Sequence, residues 1–193
     1  MKKQIALALA LAIAPFAASA GELSYSYIEG GYAGVSLDGD GSGDADFDGF
    51  QLRGSVLVAE SIYLFAGYGS VTNDDFGTDI DFNEQQVGAG YRYGLSERAD
   101  FIAELGYVNQ EVEFAFGSVD ASGGRVSAGF RGLFSDHFEG LVKASYTDGG
   151  DFDGEFSVTA GAQVKFNPTW GVVGEIEAGE DVTKYLIGVR ASF

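Results

Sequence analysis

Apolar and polar residues alternate along most of this chain, and the closing segment shows the pattern most plainly. Tyr185, Ile187, Val189, Ala191 and Phe193 are apolar, while Lys184, Leu186, Gly188, Arg190 and Ser192 fall between them. Period two describes a β-strand with one apolar face and one mostly polar face. Read this way, the chain divides into about ten strands, near 24–36, 49–59, 62–71, 84–95, 100–112, 124–134, 138–147, 155–166, 170–178 and 183–193. The connections alternate as well. Glu60-Ser61, Ser96 to Ala99, Ser135 to His137 and Asn167-Pro168-Thr169 are short. Stretches 37–48, 72–83, 113–123, 148–154 and 179–182 are longer and rich in Asp and Gly. Short turns at one end and long loops at the other predict an up-and-down barrel crossing a membrane, with both termini on the periplasmic side.

One face of each strand carries no charge. The second strand offers Phe50, Leu52, Gly54, Val56 and Val58, the sixth Val126, Ala128, Phe130, Gly132 and Phe134, and the eighth Phe156, Val158, Ala160, Ala162, Val164 and Phe166. A soluble barrel needs a polar outer face, whereas lipid penalises a charge at mid-depth by about 2–4 kcal/mol. Aromatics gather at the two ends of this face. Tyr93, Phe101, Phe134, Phe138, Phe166, Trp170 and Phe193 stand near the short turns; Phe50, Tyr68, Tyr107, Tyr146, Phe156 and Tyr185 stand near the long loops. They read as two interfacial girdles. Phe138 and Tyr146 are separated by roughly 20 Å of tilted strand, close to the apolar thickness such barrels present. The predicted fold is therefore all-β: a closed antiparallel up-and-down transmembrane β-barrel of about ten strands, with eight as the alternative count.

The first twenty residues do not belong to that pattern. Lys2 and Lys3 precede an apolar run from Ile5 to Ala14, and Ala18-Ser19-Ala20 supplies small residues for cleavage. This is the layout of a secretory signal peptide, so residues 1–20 are expected to be removed and 21–193 to form one barrel domain.

Charge narrows the function. The chain has 11 basic and 29 acidic residues, a formal net charge of −18. That excludes nucleic acid as a partner, which needs a basic patch. There is no cysteine, hence no disulfide or thiolate metal site. The basic residues Arg53, Arg92, Arg125, Arg131, Lys143, Lys165, Lys184 and Arg190 alternate onto the inner face, where Glu29, Glu104, Glu139, Glu175 and Glu177 also fall. Counted from the short turns, Glu29, Arg53, Arg92, Glu104, Arg131, Lys143, Glu175 and Arg190 lie at similar depth and predict one charged layer. Buried charges need partners, so a layer of mixed sign reads as a salt-bridged plug. The alternative is a charged constriction selecting small solutes. Ten strands are too few for an open diffusion channel.

Two further candidates follow from the loops and turns. Asp38, Asp40, Ser42 and Asp44 are spaced like the opening of a calcium loop, with oxygen ligands at alternate positions, but Gly49 occupies the twelfth position where a bidentate Glu belongs. The expectation is at most weak Ca²⁺ or Mg²⁺ binding at acidic loops, including bridging to anionic lipopolysaccharide, and no resident cofactor. His137, the single histidine, sits in the short Ser135-Asp136-His137 turn on the periplasmic side, away from the outer rim where a catalytic His of such barrels is needed, and adjacency to Asp136 does not make a catalytic pair, so no catalytic set is predicted and an outer-membrane hydrolase is the weakest reading.

The signal segment, the alternating strands and the Phe193 terminus together resemble small Gram-negative outer-membrane β-barrel proteins of the OmpA and OmpX type, whose usual strand count is eight. Leu23-Ser24-Tyr25-Ser26-Tyr27-Ile28-Glu29-Gly30-Gly31-Tyr32, with the Asp/Gly loop after it, is similar to the Ax-type outer-membrane proteins of xanthomonads. The resemblance implies outer-membrane lipid and lipopolysaccharide as surroundings. It also implies that Tyr185, Ile187, Val189 and Phe193 form the signal read by the barrel assembly machinery. Its functional implication is an envelope or surface-interaction role, without enzymatic activity.

Overall fold

The computed structural model describes residues 23–37, 45–73, 80–114 and 116–193. The signal segment 1–20 and the candidate cation ligands Asp38, Asp40, Ser42 and Asp44 lie outside the described residues.

The ten strands are β1 (Tyr27–Leu37), β2 (Ala45–Ala59), β3 (Ile62–Asn73), β4 (Ile80–Ser96), β5 (Ala99–Phe114), β6 (Gly117–Leu133), β7 (Phe138–Gly149), β8 (Phe152–Lys165), β9 (Trp170–Ala178) and β10 (Val182–Ser192). Each pairs antiparallel with its sequence neighbours, and β1 pairs with both β2 and β10, which closes the sheet into a barrel. Closure leaves no edge strand, so every ladder has a partner without help from solvent. At ordinary strand spacing and a tilt of about 40°, ten strands enclose a ring of roughly 10 Å backbone radius, narrow enough for side chains to fill. The first described residues, from Leu23, and the C-terminal Phe193 reach the same end, where the Phe193 amide donates to the Ser26 carbonyl at 3.0 Å. We call this the termini end.

The apolar face points outward. Leu105 and Ile187 are 65% and 67% exposed, values that belong to a surface wetted by hydrocarbon rather than water. At the two ends of that face Phe101 meets Phe130 edge-on at 5.6 Å, and Phe50 meets Tyr68 at 5.9 Å. Inward-facing apolar side chains form two small clusters. Leu23, Tyr25, Tyr63, Ile102 and Leu133 pack together near the termini end. Ala33, Val35, Phe47, Val71, Val173 and Leu186 pack together in the opposite half.

The structure corrects the expected loop lengths and one strand start. Segment 113–123 is mostly ladder: β5 and β6 stay paired as far as Phe114 opposite Gly117. Segments 148–154 and 179–182 are likewise short. Gly149 and Gly150 take φ of +83° and +66° to close the β7–β8 turn, a conformation open to Gly at no steric cost. The polar residues that made these stretches look like loops are strand residues beyond the lipid, where both faces of a hairpin meet water. At the other end, Ser24 to Ser26 were expected to open the first strand. They instead precede it, with Leu23 and Tyr25 buried inside the ring.

Candidate functional site: the charged lumen

Register builds the centre of the lumen. Glu29 on β1 stands directly opposite Arg53 on β2 and Arg190 on β10. Its carboxylate, 1% exposed, accepts from Arg53 Nε and Arg190 Nε, each at 2.6 Å. Arg53 then reaches across the barrel to β9, donating from Nη1 and Nη2 to the two oxygens of Glu175 at 2.6 and 3.1 Å. A guanidinium fork matched to a carboxylate is the strongest neutralising geometry available in such a space.

A second buried carboxylate extends the chain of charges. Glu139 accepts from Arg131 Nε at 2.5 Å; Lys165 Nζ lies 3.2 Å and Arg190 Nη1 3.6 Å from its oxygens. Arg190 also donates to Gln163 Oε1 at 3.3 Å. To one side Lys143 donates to Glu104 at 2.9 Å, and Tyr63 donates to the other Glu104 oxygen at 2.8 Å. The Tyr63 ring lies flat against Gly90, where a Cβ would sit 2.1 Å from its Cζ, so only Gly there lets the phenol aim at Glu104.

The termini end is occupied by Tyr25. Its hydroxyl donates to Asp100 at 2.9 Å, and the guanidinium carbons of Arg131 and Arg92 stand 4.7 and 5.2 Å from its ring centre. Burial pushes the Tyr25 phenol above its ordinary range, helped by the Asp100 carboxylate and opposed by Arg131. Arg92 holds Asp100 at 3.4 Å and the Glu60 carbonyl at 2.8 Å.

Of the eight residues expected in one layer, Glu29, Arg53, Glu175 and Arg190 are joined directly, and Arg131 joins them through Glu139. Glu104 and Lys143 pair beside this group. Arg92 stands apart, at the mouth with Asp100. Sequence reading overlooked Asp100, Tyr25 and Tyr63. Asp100 shares the alternation of Ile102 and Glu104, so its inward direction was available. Tyr25 was hidden because the chain there is no longer strand.

Toward the far end a further set appears. Lys184 pairs with Glu84, which also accepts from Gln110 at 2.8 Å. Arg125 Nε donates to Thr147 Oγ1 at 2.8 Å, and Glu177 accepts from Ser157 and Thr159 at 3.1 and 3.4 Å. The free space is broken into compartments: about 70 Å³ toward the termini end, about 70 Å³ beyond it, and about 280 Å³ at the far mouth. Arg53, Lys143 and Glu175 line both smaller spaces and separate them.

His137 is exposed in its turn, and the neighbouring Asp136 pairs with Arg98 at 2.8 Å. Tyr185, Ile187 and Val189 face outward on β10, with Phe193 just after it.

A closed barrel with an apolar belt outside and paired charges inside defines a transmembrane β-barrel of the outer-membrane class. The sequence model of the outer membrane protein beta-barrel domain matches residues 5–185. The chain belongs to that family, which sits in the bacterial outer membrane. No curated protein matches it by sequence. Among solved structures it is similar in fold to the translocator domain of the autotransporter NalP from Neisseria meningitidis, at 12% identity over 100% of this chain and 94% of that one, TM-score 0.51. Ail of Yersinia pestis aligns at 17% identity over 88% and 99% of the two chains, TM-score 0.46. OprG from Pseudomonas aeruginosa aligns at 15% over 91% and 99%, TM-score 0.47.

Proposed function

We propose that this protein is a non-conducting outer-membrane barrel with both termini in the periplasm, a lumen plugged by ion pairs, and acidic external hairpins that serve envelope structure or surface interaction rather than catalysis. The observation that carries the reading is the Arg53–Glu175 fork spanning the lumen with Glu29 and Arg190 behind it. Tyr25 and Leu23, buried at the termini end, support it. The short turns at that end support the orientation, since outer-membrane barrels keep short turns in the periplasm. Carboxylates such as Asp48, Glu111, Glu113, Asp120 and Asp153 at the far ends of the strands suit a hydrated external surface, with Ca²⁺ or Mg²⁺ bridging them to anionic lipopolysaccharide. The outward residues of β10 suit recognition by the barrel assembly machinery.

A second reading has one observation in its favour. The compartments on either side of Arg53, Lys143 and Glu175 form a row, as in a narrow pore gated by charge. Planar-bilayer recording separates the two. The wild-type barrel at high density is expected to give no unitary steps. Reproducible steps whose size or ion selectivity changes in Arg53→Ala would replace the plug with the gated pore.

A further inference from the structure

The 280 Å³ space at the far mouth has two unlike walls. Val35, Leu37, Phe82 and Val182 line one side, continuous with the apolar cluster beneath it. Arg125 and Lys184 stand among the polar residues of the other. Lys184 is matched with Glu84. Arg125 is not matched in the same way. Its Nε is used by Thr147, but no hydrogen bond among the described residues reaches Nη1 or Nη2. Glu177 is 3.9 Å from Nη1, beyond hydrogen-bond reach, and its own oxygens accept from Ser157 and Thr159. By contrast Arg53, deeper in the same lumen, spends all three nitrogens on carboxylates. The Arg125 side chain is 13% exposed and borders the mouth space and the compartment below it.

We propose that this vestibule binds a small amphipathic carboxylate. The acid lies on Arg125 Nη1 and Nη2, displacing only the long 3.9 Å ion pair with Glu177, and its apolar body lies against Phe82, Val35 and Val182. A planar fork whose two terminal nitrogens donate no hydrogen bond among the described residues is shaped for a carboxylate. An apolar wall facing a set of converging polar groups is a usual form of a small-ligand site. The acidic rim, Glu155, Glu180 and Asp181, stands exposed at the entrance. It favours cations in general, so anion binding has to come from Arg125 itself. The site is independent of whether the lumen conducts, because it lies on the far side of the Arg53–Glu175 fork.

The test uses the purified full barrel in detergent and ¹⁹F NMR of two probes of similar size, 4-fluorophenylacetate and 4-fluorobenzylamine, with empty micelles as the partition control. The acid should broaden with wild-type protein beyond the micelle control, and the amine should not. Arg125→Gln should weaken acid binding about tenfold, and Phe82→Ala several-fold, with both variants still heat-modifiable in gels. Amine broadening that exceeds acid broadening would overturn the proposal, as would equal acid binding by Arg125→Gln. If Arg125→Gln does not fold, Phe82→Ala together with the acid–amine comparison decides.

Discussion

Glu29→Gln isolates the centre of the lumen. The substitution keeps shape and removes one charge between Arg53 and Arg190, each held at 2.6 Å. Stripping one partner from a buried ion pair costs roughly 3–5 kcal/mol, because the surviving charge is left uncompensated. Here both arginines keep another carboxylate: Arg53 keeps Glu175 at 2.6 Å, and Arg190 keeps Glu139 at 3.6 Å. The expected loss is therefore at or just below the bottom of that range, about 2–3 kcal/mol. The control is Arg98→Ala. Its pair with Asp136 is nearly as short, 2.8 Å, but the side chains are 56% and 61% exposed, so water screens it and its removal should cost well under about 1 kcal/mol. Both variants can be measured by urea unfolding in lipid vesicles, following Trp170, the single tryptophan, which faces outward. Equal losses in the two variants, or a Glu29→Gln loss below about 0.5 kcal/mol, would refute the claim that burial and not distance sets the strength of these pairs.

Other consequences follow from the same geometry. Val142 is outward, midway between Phe138 and Tyr146, and Val142→Arg should cost about 2–4 kcal/mol in the same assay; a loss near zero would remove lipid from that face. Deleting Phe193 also deletes its amide bond to Ser26 and should reduce the heat-modifiable fraction in cells, while unchanged assembly would contradict an anchoring role. Burial holds the Tyr25 phenol above its ordinary 10.0, so the unfolded chain loses that proton first and stability should fall as pH rises past about 10. Tyr25→Phe should flatten that fall in urea midpoints taken between about pH 9 and 11, and an unchanged slope would show that the phenol stays hydrated.

Alternation alone revealed most of the barrel, because lipid outside and paired charges inside leave each strand with two unlike faces. The ring of outward residues from Phe50 to Val189 and the inward placement of eight basic side chains were legible for that reason. What alternation lacks is pairing across the lumen. Nothing local links Arg53 to Glu175, which are joined only after the sheet closes. Glu29 between two arginines depends on register with β2 and β10, which closure sets. Hairpin length differs from the expectation where the solvent changes: Glu113, Ser118 and Asp120 look like loop residues, yet they continue the ladder of β5 and β6. Tyr25 was misjudged for the opposite reason, since it keeps the alternation although the chain there has left the sheet.

That change of solvent locates the vestibule. On several strands the outward residue switches from apolar to polar near one level: Tyr107 to Asn109 on β5, Tyr146 to Asp148 on β7, and Phe50 to Asp48 on β2. The switch marks where hydrocarbon gives way to water. Tyr32 pairs with Phe50 and Ile187 and so stands at this level. Val35 and Leu37 are three and five residues further toward the far end, opposite Lys184 and Val182. The space they line therefore lies at and above the lipid boundary, while the Glu29–Arg53–Arg190 cluster lies below it. As proposed, a carboxylate binds Arg125 at this level and leaves the Glu29–Arg53–Arg190 ion pairs undisturbed. The proposed occupancy of the vestibule and the proposed closure of the lumen are thus separable properties of one fold, divided at the fork between Arg53 and Glu175.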